Sequence, residues 1–158
     1  MHLFIDADGS PSGYLAWYNH FTRSKFIRSI RPAIRNDRFG VQRMEMLAIY
    51  FAIADNITIF QSRVRKRRTI RGGKKVRKII INIRSDSKST IEQLKGICEI
   101  RDKMLLRICE RIRRLLKILS CNIAFKHIQR TRNMAGLLLE QKIRMKKEVK
   151  EEEEKVKH

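Results

Sequence analysis

Short apolar runs separated by turn-forming residues open the chain. Residues 3–8 read as a strand, broken by Gly-Ser-Pro-Ser-Gly at 9–13. "YLAWYNHF" at 14–21 reads as a second strand and "KFIRSIRPAI" at 25–34 as a third, a pattern that predicts an antiparallel meander. From 41 to 55 the period becomes helical, with Met44, Leu47, Ala48, Phe51 and Ala52 available for burial. An isoleucine-rich strand at 79–84 has the nearly unbroken apolar composition of a strand covered on both faces. A helix is predicted at 89–95. Ile100, Met104, Ile108, Ile112, Leu115 and Leu119 then recur at steps of three and four, the stripe of a long amphipathic helix. Residues 122–128 form a last strand and 133–150 a last helix, which runs into "EEEEKVKH". One mixed sheet flanked by helices accommodates this order.

Charge changes the picture. With 158 residues the chain suits one domain, yet 37 Lys and Arg face only 16 Asp and Glu, a net +21. Such an excess favours polyanions through phosphate contacts and counterion release, so nucleic acid is the expected partner. No apolar run is long enough to cross a bilayer, and no signal-like segment stands at the start, so no membrane partner and a cytoplasmic location are expected. Cys98, Cys109 and Cys121 lack metal-binding spacing and read as buried, reduced thiols. The stretch 62–78 carries Arg63, Arg65, Lys66, Arg67, Arg68, Arg71, Lys74 and Lys75 without one carboxylate. It reads as a phosphate-binding segment, with Gly72-Gly73 suited to the tip of a hairpin flanked by Val64, Ile70 and Val76. Arg107, Arg111 and Arg114 line the polar side of the long helix, either a solvated face or a second backbone contact.

Four carboxylates fall in apolar surroundings. Asp6 and Asp8 share one face of the first strand. Glu45 is the only charge in "MEMLAIYFAIA", and Asp86 ends the isoleucine strand. Each has a simpler reading: Asp86-Ser87 as a helix cap, Glu45 as a first-turn carboxylate, Asp8-Gly9-Ser10 as a turn. Together they describe the oxygen-ligand set of a hard divalent cation. Two such ions about 4 Å apart can activate water and stabilise the leaving oxygen of a phosphodiester.

The chain resembles the ribonuclease H family. "LFIDADGSPSGYLAWY" is similar to its opening strand and catalytic aspartate, with Asp6 and Asp8 both eligible; "QRMEMLAIYFAI" is similar to its first helix and points to Glu45. "IRSDSKSTIEQLKG" looks like its strand–Asp-Ser–helix signature and points to Asp86. "FKHIQRTRNMAGLLLE" matches its closing segment, with a histidine, His127, six residues before an asparagine, Asn133. The family's fourth aspartate is absent: Gly136 or Leu137 stands in its place, with Glu140 one turn beyond Gly136.

The resemblance implies an α/β, ribonuclease H-like mixed five-stranded sheet, three antiparallel strands then parallel ones, flanked by helices. It implies a domain over 1–145 with a basic insertion at 62–78, and a charged helical extension or disordered tail at 146–158. It further implies an endonuclease that cuts the RNA strand of RNA–DNA hybrids with two Mg2+ or Mn2+ ions. Asp6 or Asp8, Glu45 and Asp86 would hold the ions, His127 would carry protons, Glu140 would reach towards the site, and Asn133 would contact the nucleic acid. A lone histidine near a strand end is more often structural, so the resemblance alone assigns that role. A nuclease of the same fold acting on DNA, as resolvases and transposases do, is a second reading. A non-catalytic nucleic-acid-binding module is a third.

Overall fold

The structure is a computed structural model that describes residues 1–35, 38–68, 78–119 and 121–158. Strands β1 (His2–Gly9), β2 (Tyr14–Asn19) and β3 (Lys25–Ser29) form the meander. Helices α1 (Pro32–Arg35) and α2 (Gly40–Arg68) follow, then strand β4 (Ile80–Ser85) and helices α3 (Lys88–Leu94) and α4 (Lys103–Ile118). Strand β5 (Asn122–His127), a 3-10 turn (Arg130–Arg132) and helix α5 (Met134–Val156) complete the chain. The sheet order is β3-β2-β1-β4-β5, with β1 antiparallel to β2, β2 to β3, and β1–β4 and β4–β5 parallel.

Alternation along β1 sorts the molecule into two layers. Leu3, Ile5 and Ala7 face α2 and join Leu15, Trp17, Ile81 and Ile83 in the main core, which Met44, Ala48, Ile49, Ile53 and Phe60 close from above. Asp6 and Asp8 face the other way, where α5 lays Ala135 and Leu139 on Ala16 of β2. The third strand is shorter than its apolar pattern predicts, because Pro32 starts a helical turn.

The helix predicted at 41–55 continues to Arg68. Asp55, where the predicted helix ends, and Asn56 after it are partners inside the fold: Trp17 Nε1 donates to Asp55 Oδ2 at 2.8 Å, and Asn19 Nδ2 to Asn56 Oδ1 at 2.9 Å. Residues 62–68 are therefore helical and do not flank a hairpin, while 69–77, with Arg71, Lys74, Lys75 and the proposed hairpin tip, lie outside the described residues. The charged end at 146–156 is helical. Cys109 is buried as expected, Cys121 is half-buried, and Cys98 is exposed, contrary to its reading as a buried thiol.

Candidate metal centre

Parallel pairing of β1 with β4 sets Asp6 opposite Arg84, so that the next positions on the same face, Asp8 and Asp86, emerge side by side where the strands end. Helix α2 delivers Glu45 from the other side. That approach needs Gly9, since a Cβ there would stand 2.4 Å from the Met44 carbonyl carbon and 2.7 Å from Glu45 N. The Gly9 amide donates to Glu45 Oε2 at 3.3 Å, fixing the carboxylate against the strand. Ligand oxygens of Asp8, Glu45 and Asp86 lie within 4.8 Å of one another.

The Asp-Ser pair after β4 divides its labour. Ser87 is the N-cap of α3, its Oγ accepting from Thr90 N at 3.4 Å, so Asp86 is not used as a cap. Asp86 Oδ1 instead accepts from Asn133 Nδ2 at 3.1 Å, and the same amide donates to Ala7 O at 3.0 Å. Asn133 is itself the N-cap of α5, its Oδ1 accepting from Gly136 N at 3.2 Å. It is fully buried, so the nucleic-acid contact implied by the resemblance gives way to holding Asp86.

Three carboxylates this close repel one another. Burial, then the Asp86 charge, pushes Asp8 up to about 7, with Arg130 easing it slightly. Burial, then the charges of Asp8 and Asp86, pushes Glu45 up to about 10. A divalent cation relieves both effects, and an all-carboxylate oxygen set fits Mg2+ or Mn2+. The cleft above the trio, about 160 Å³, is also lined by Ser10, Arg130, Gly136 and Glu140.

The remaining candidates separate. Asp6 is correctly placed on the Asp8 face but lies one layer deeper, wholly buried, with Arg84 Nε at 2.6 Å and His20 Nε2 at 2.9 Å. Its oxygens are taken, and it is not part of the cluster. His127, at the exposed end of β5, places Nε2 3.2 Å from the Asp86 carbonyl oxygen. Glu140 lines the cleft yet pairs with Arg130, Oε1 to Nε 3.4 Å. Of the two candidates for the missing aspartate's position, Gly136 faces the site, its would-be Cβ 3.2 Å from Asp8 Oδ2, whereas Leu137 is exposed. Arg107, Arg111 and Arg114 line a different cleft, about 380 Å³, floored by Leu47, Tyr50, Phe51 and Met104 between α2 and α4. Arg63 lies with Cζ 4.2 Å from the Phe21 ring centroid, and Arg65, Lys66, Arg67 and Arg68 belong to the last turns of α2. Sequence reasoning missed Gly9, Arg84, His20 and Arg130. Only Gly9 carried a signal, as the glycine directly after an aspartate at a strand end.

No protein-family model and no curated protein matches the chain. Solved structures do. It is similar to ribonuclease H1 from the halophilic archaeon Halobacterium salinarum, with TM-score 0.62, 19% identity, and coverage of 85% of this chain and 91% of that one. The chain has a ribonuclease H-like fold. LC11 ribonuclease H1, solved in complex with an RNA/DNA hybrid, aligns with TM-score 0.59 and 17% identity over 84% and 88% of the two chains. The N-terminal ribonuclease H domain of a Mycobacterium tuberculosis protein gives TM-score 0.55 and 14% identity over 84% and 85%. In this ribonuclease H-like chain the acidic trio stands where the parallel strands of the sheet end, beside the N-terminus of α5.

Proposed function

We propose that the protein is a divalent-metal-dependent endonuclease that hydrolyses the RNA strand of RNA–DNA hybrids. The observation that carries this reading is the convergence of Asp8, Glu45 and Asp86, drawn from three elements, at the strand ends of a strongly basic ribonuclease H-like fold. Asp8, Glu45 and Asp86 would hold the cation, Mg2+ or Mn2+. A cation held there supplies Lewis acidity to the scissile phosphate and lowers the pKa of water. Two ions are the expectation from the family, and Glu140, which lines the same cleft, would extend the set once Arg130 releases it.

The chain's own residues do the rest. Arg130, exposed at the rim, is placed to meet a phosphate entering the cleft. His127, exposed at the end of β5 with Nε2 3.2 Å from the Asp86 carbonyl oxygen, would exchange a proton between solvent and the departing product. Lys88, Lys126 and Arg132 are exposed close to the site in sequence and would hold the backbone without reading bases. Hybrid preference would rest on groove shape and 2′-hydroxyl contacts.

The test is cleavage of end-labelled hybrid in Mg2+ and in Mn2+, beside duplex DNA, branched DNA and duplex RNA. Asp86→Asn and Glu45→Gln should each lose more than about a hundredfold, beyond what removing an outer partner of a metal ligand costs. Wild-type rates in both variants would sink the proposal, and faster cutting of branched DNA would move the substrate to DNA. Gly136 in place of the fourth carboxylate favours a second reading, a binding module without turnover. Salt-sensitive hybrid binding with no cleavage in either metal would establish that one.

A further inference from the structure

Asp6 is the carboxylate that the acidic centre leaves over. It is fully buried, and a buried charge persists only with good partners. Arg84 Nε donates to Oδ1 at 2.6 Å. Oδ2 stands 2.9 Å from His20 Nε2 and accepts from the backbone amide of Met134 at 3.0 Å. Arg84 Nη2 lies 3.0 Å from His20 Nε2, closing the network. One carboxylate thus joins β1, the turn after β2, β4 and the first residue of α5.

The Met134 contact is the informative one. The first amides of a helix have no partner within it, and water can serve them equally well. Here one of them is spent on a buried anion, which ties the start of α5 to the sheet one layer below the acidic trio. The residue before Met134 is Asn133, whose amide group holds Asp86 Oδ1 and Ala7 O. Two residues after Met134 comes Gly136, against Asp8 Oδ2. A continuous path therefore runs from Asp6 through the α5 N-terminus to two of the three carboxylates.

We propose that Asp6 is a positioning residue: by seating the N-terminus of α5 it sets where Asn133 and Gly136 meet Asp86 and Asp8, and so fixes the separation of the metal-binding carboxylates. This rests on the metal-centre reading above. A buried ion pair can often be exchanged for apolar residues of similar size without loss of stability, so what the charged pair contributes is direction.

That property supplies the test. The double variant Asp6→Leu/Arg84→Met replaces the pair by packed apolar side chains and should stay folded, while Asp6→Asn keeps an oxygen for the Met134 amide. Hydrogen exchange at Gly136 would be measured in metal-free protein, and Mn2+ affinity by calorimetry well below the unfolding temperature. The double variant should exchange Gly136 at least about tenfold faster and bind Mn2+ about tenfold more weakly, the cost typical of losing an outer partner of a metal ligand. Asp6→Asn should stay near wild type in Gly136 exchange. Unchanged exchange at Gly136 in the folded double variant overturns the proposal. A wild type that binds no Mn2+ overturns the metal-centre reading, while the exchange measurement still decides whether Asp6 seats the helix.

Discussion

Asp86 and Ser87 stand next to each other with opposite duties, and substitution should pull the duties apart. Ser87→Ala removes the α3 cap and should cost about 1 kcal/mol of stability while leaving Mn2+ affinity nearly unchanged. Asp86→Asn should abolish tight Mn2+ binding yet raise the melting temperature of the metal-free protein, because it removes a charge that repels Asp8 and Glu45. Calorimetry and thermal melts on both variants check this. Burial together with the same repulsion makes a pH prediction. Folded-state values of about 7 for Asp8 and about 10 for Glu45 lie above those of an unfolded chain, so the native state holds the extra protons. Their contribution to metal-free stability is complete at the acid end and is lost as pH rises through about 7 and then about 10. Saturating Mg2+ should therefore raise the melting temperature more at pH 8 than at pH 5, and Glu45→Gln should flatten the difference. At this scale the sequence was half legible. Apolar surroundings singled out Glu45 and Asp86, but the local signals for the first strand were divided, three preceding apolar residues for Asp6 and the Asp-Gly-Ser tripeptide for Asp8. The two are separated by Arg84 and the Met134 amide, which reach Asp6 from residues 78 and 128 positions away.

At the scale of elements, α2 shows why periodicity located the helix and misjudged its end. Asp55 and Asn56 look like a polar exit, but each is consumed by a partner on β2, Trp17 and Asn19. A buried polar side chain and a solvated one are the same letter in a sequence, and only long-range pairing tells them apart. The sheet was easier, because strand periodicity and turn residues are local signals. How closely α2 meets β1 is set by one atom. Gly9→Ala should cost about 2–3 kcal/mol, since the new methyl would confront backbone and not a flexible side chain. It should also weaken Mn2+ binding by moving Glu45, and a denaturant melt with a metal titration would show both losses together. The N-terminus of α4 is pinned to α2 by Arg43 and Asp102, paired through two contacts of 2.7 Å. Both side chains are largely buried, and Asp102 Oδ2 also caps Leu105 N at 2.9 Å. Asp102→Ala should cost about 3 kcal/mol by taking the carboxylate from a largely buried guanidinium, whose Nη1 still donates to Ile34 O.

Across the whole molecule the charge is unevenly placed. In the outer part of α5, Lys146, Lys147, Lys150, Lys155 and Lys157 are matched by Glu148 and Glu151 to Glu154, so the excess of +21 belongs to the body. The helix there is exposed, and its sequence sets charges of opposite sign four residues apart, such as Lys147 and Glu151, a spacing that favours helix. Lys146 reaches back to Tyr14 Oη at 2.9 Å, so ending the chain after Lys147 should leave stability within about 0.5 kcal/mol and cleavage unchanged. Hybrid affinity of the full chain should instead fall steeply with salt, on the order of a thousandfold between 50 and 200 mM if six or more phosphates are neutralised.

The strand pairing that sets Asp8 beside Asp86 joins segments 78 positions apart, and the contacts of the α5 N-terminus with Asp6 and Ala7 reach further still. An incompletely folded chain already has its positive charge but no assembled centre, so on the proposed reading it can grip a polyanion before it can cut one. On that reading the centre would carry its own safety catch, arming only when the longest-range contacts have closed.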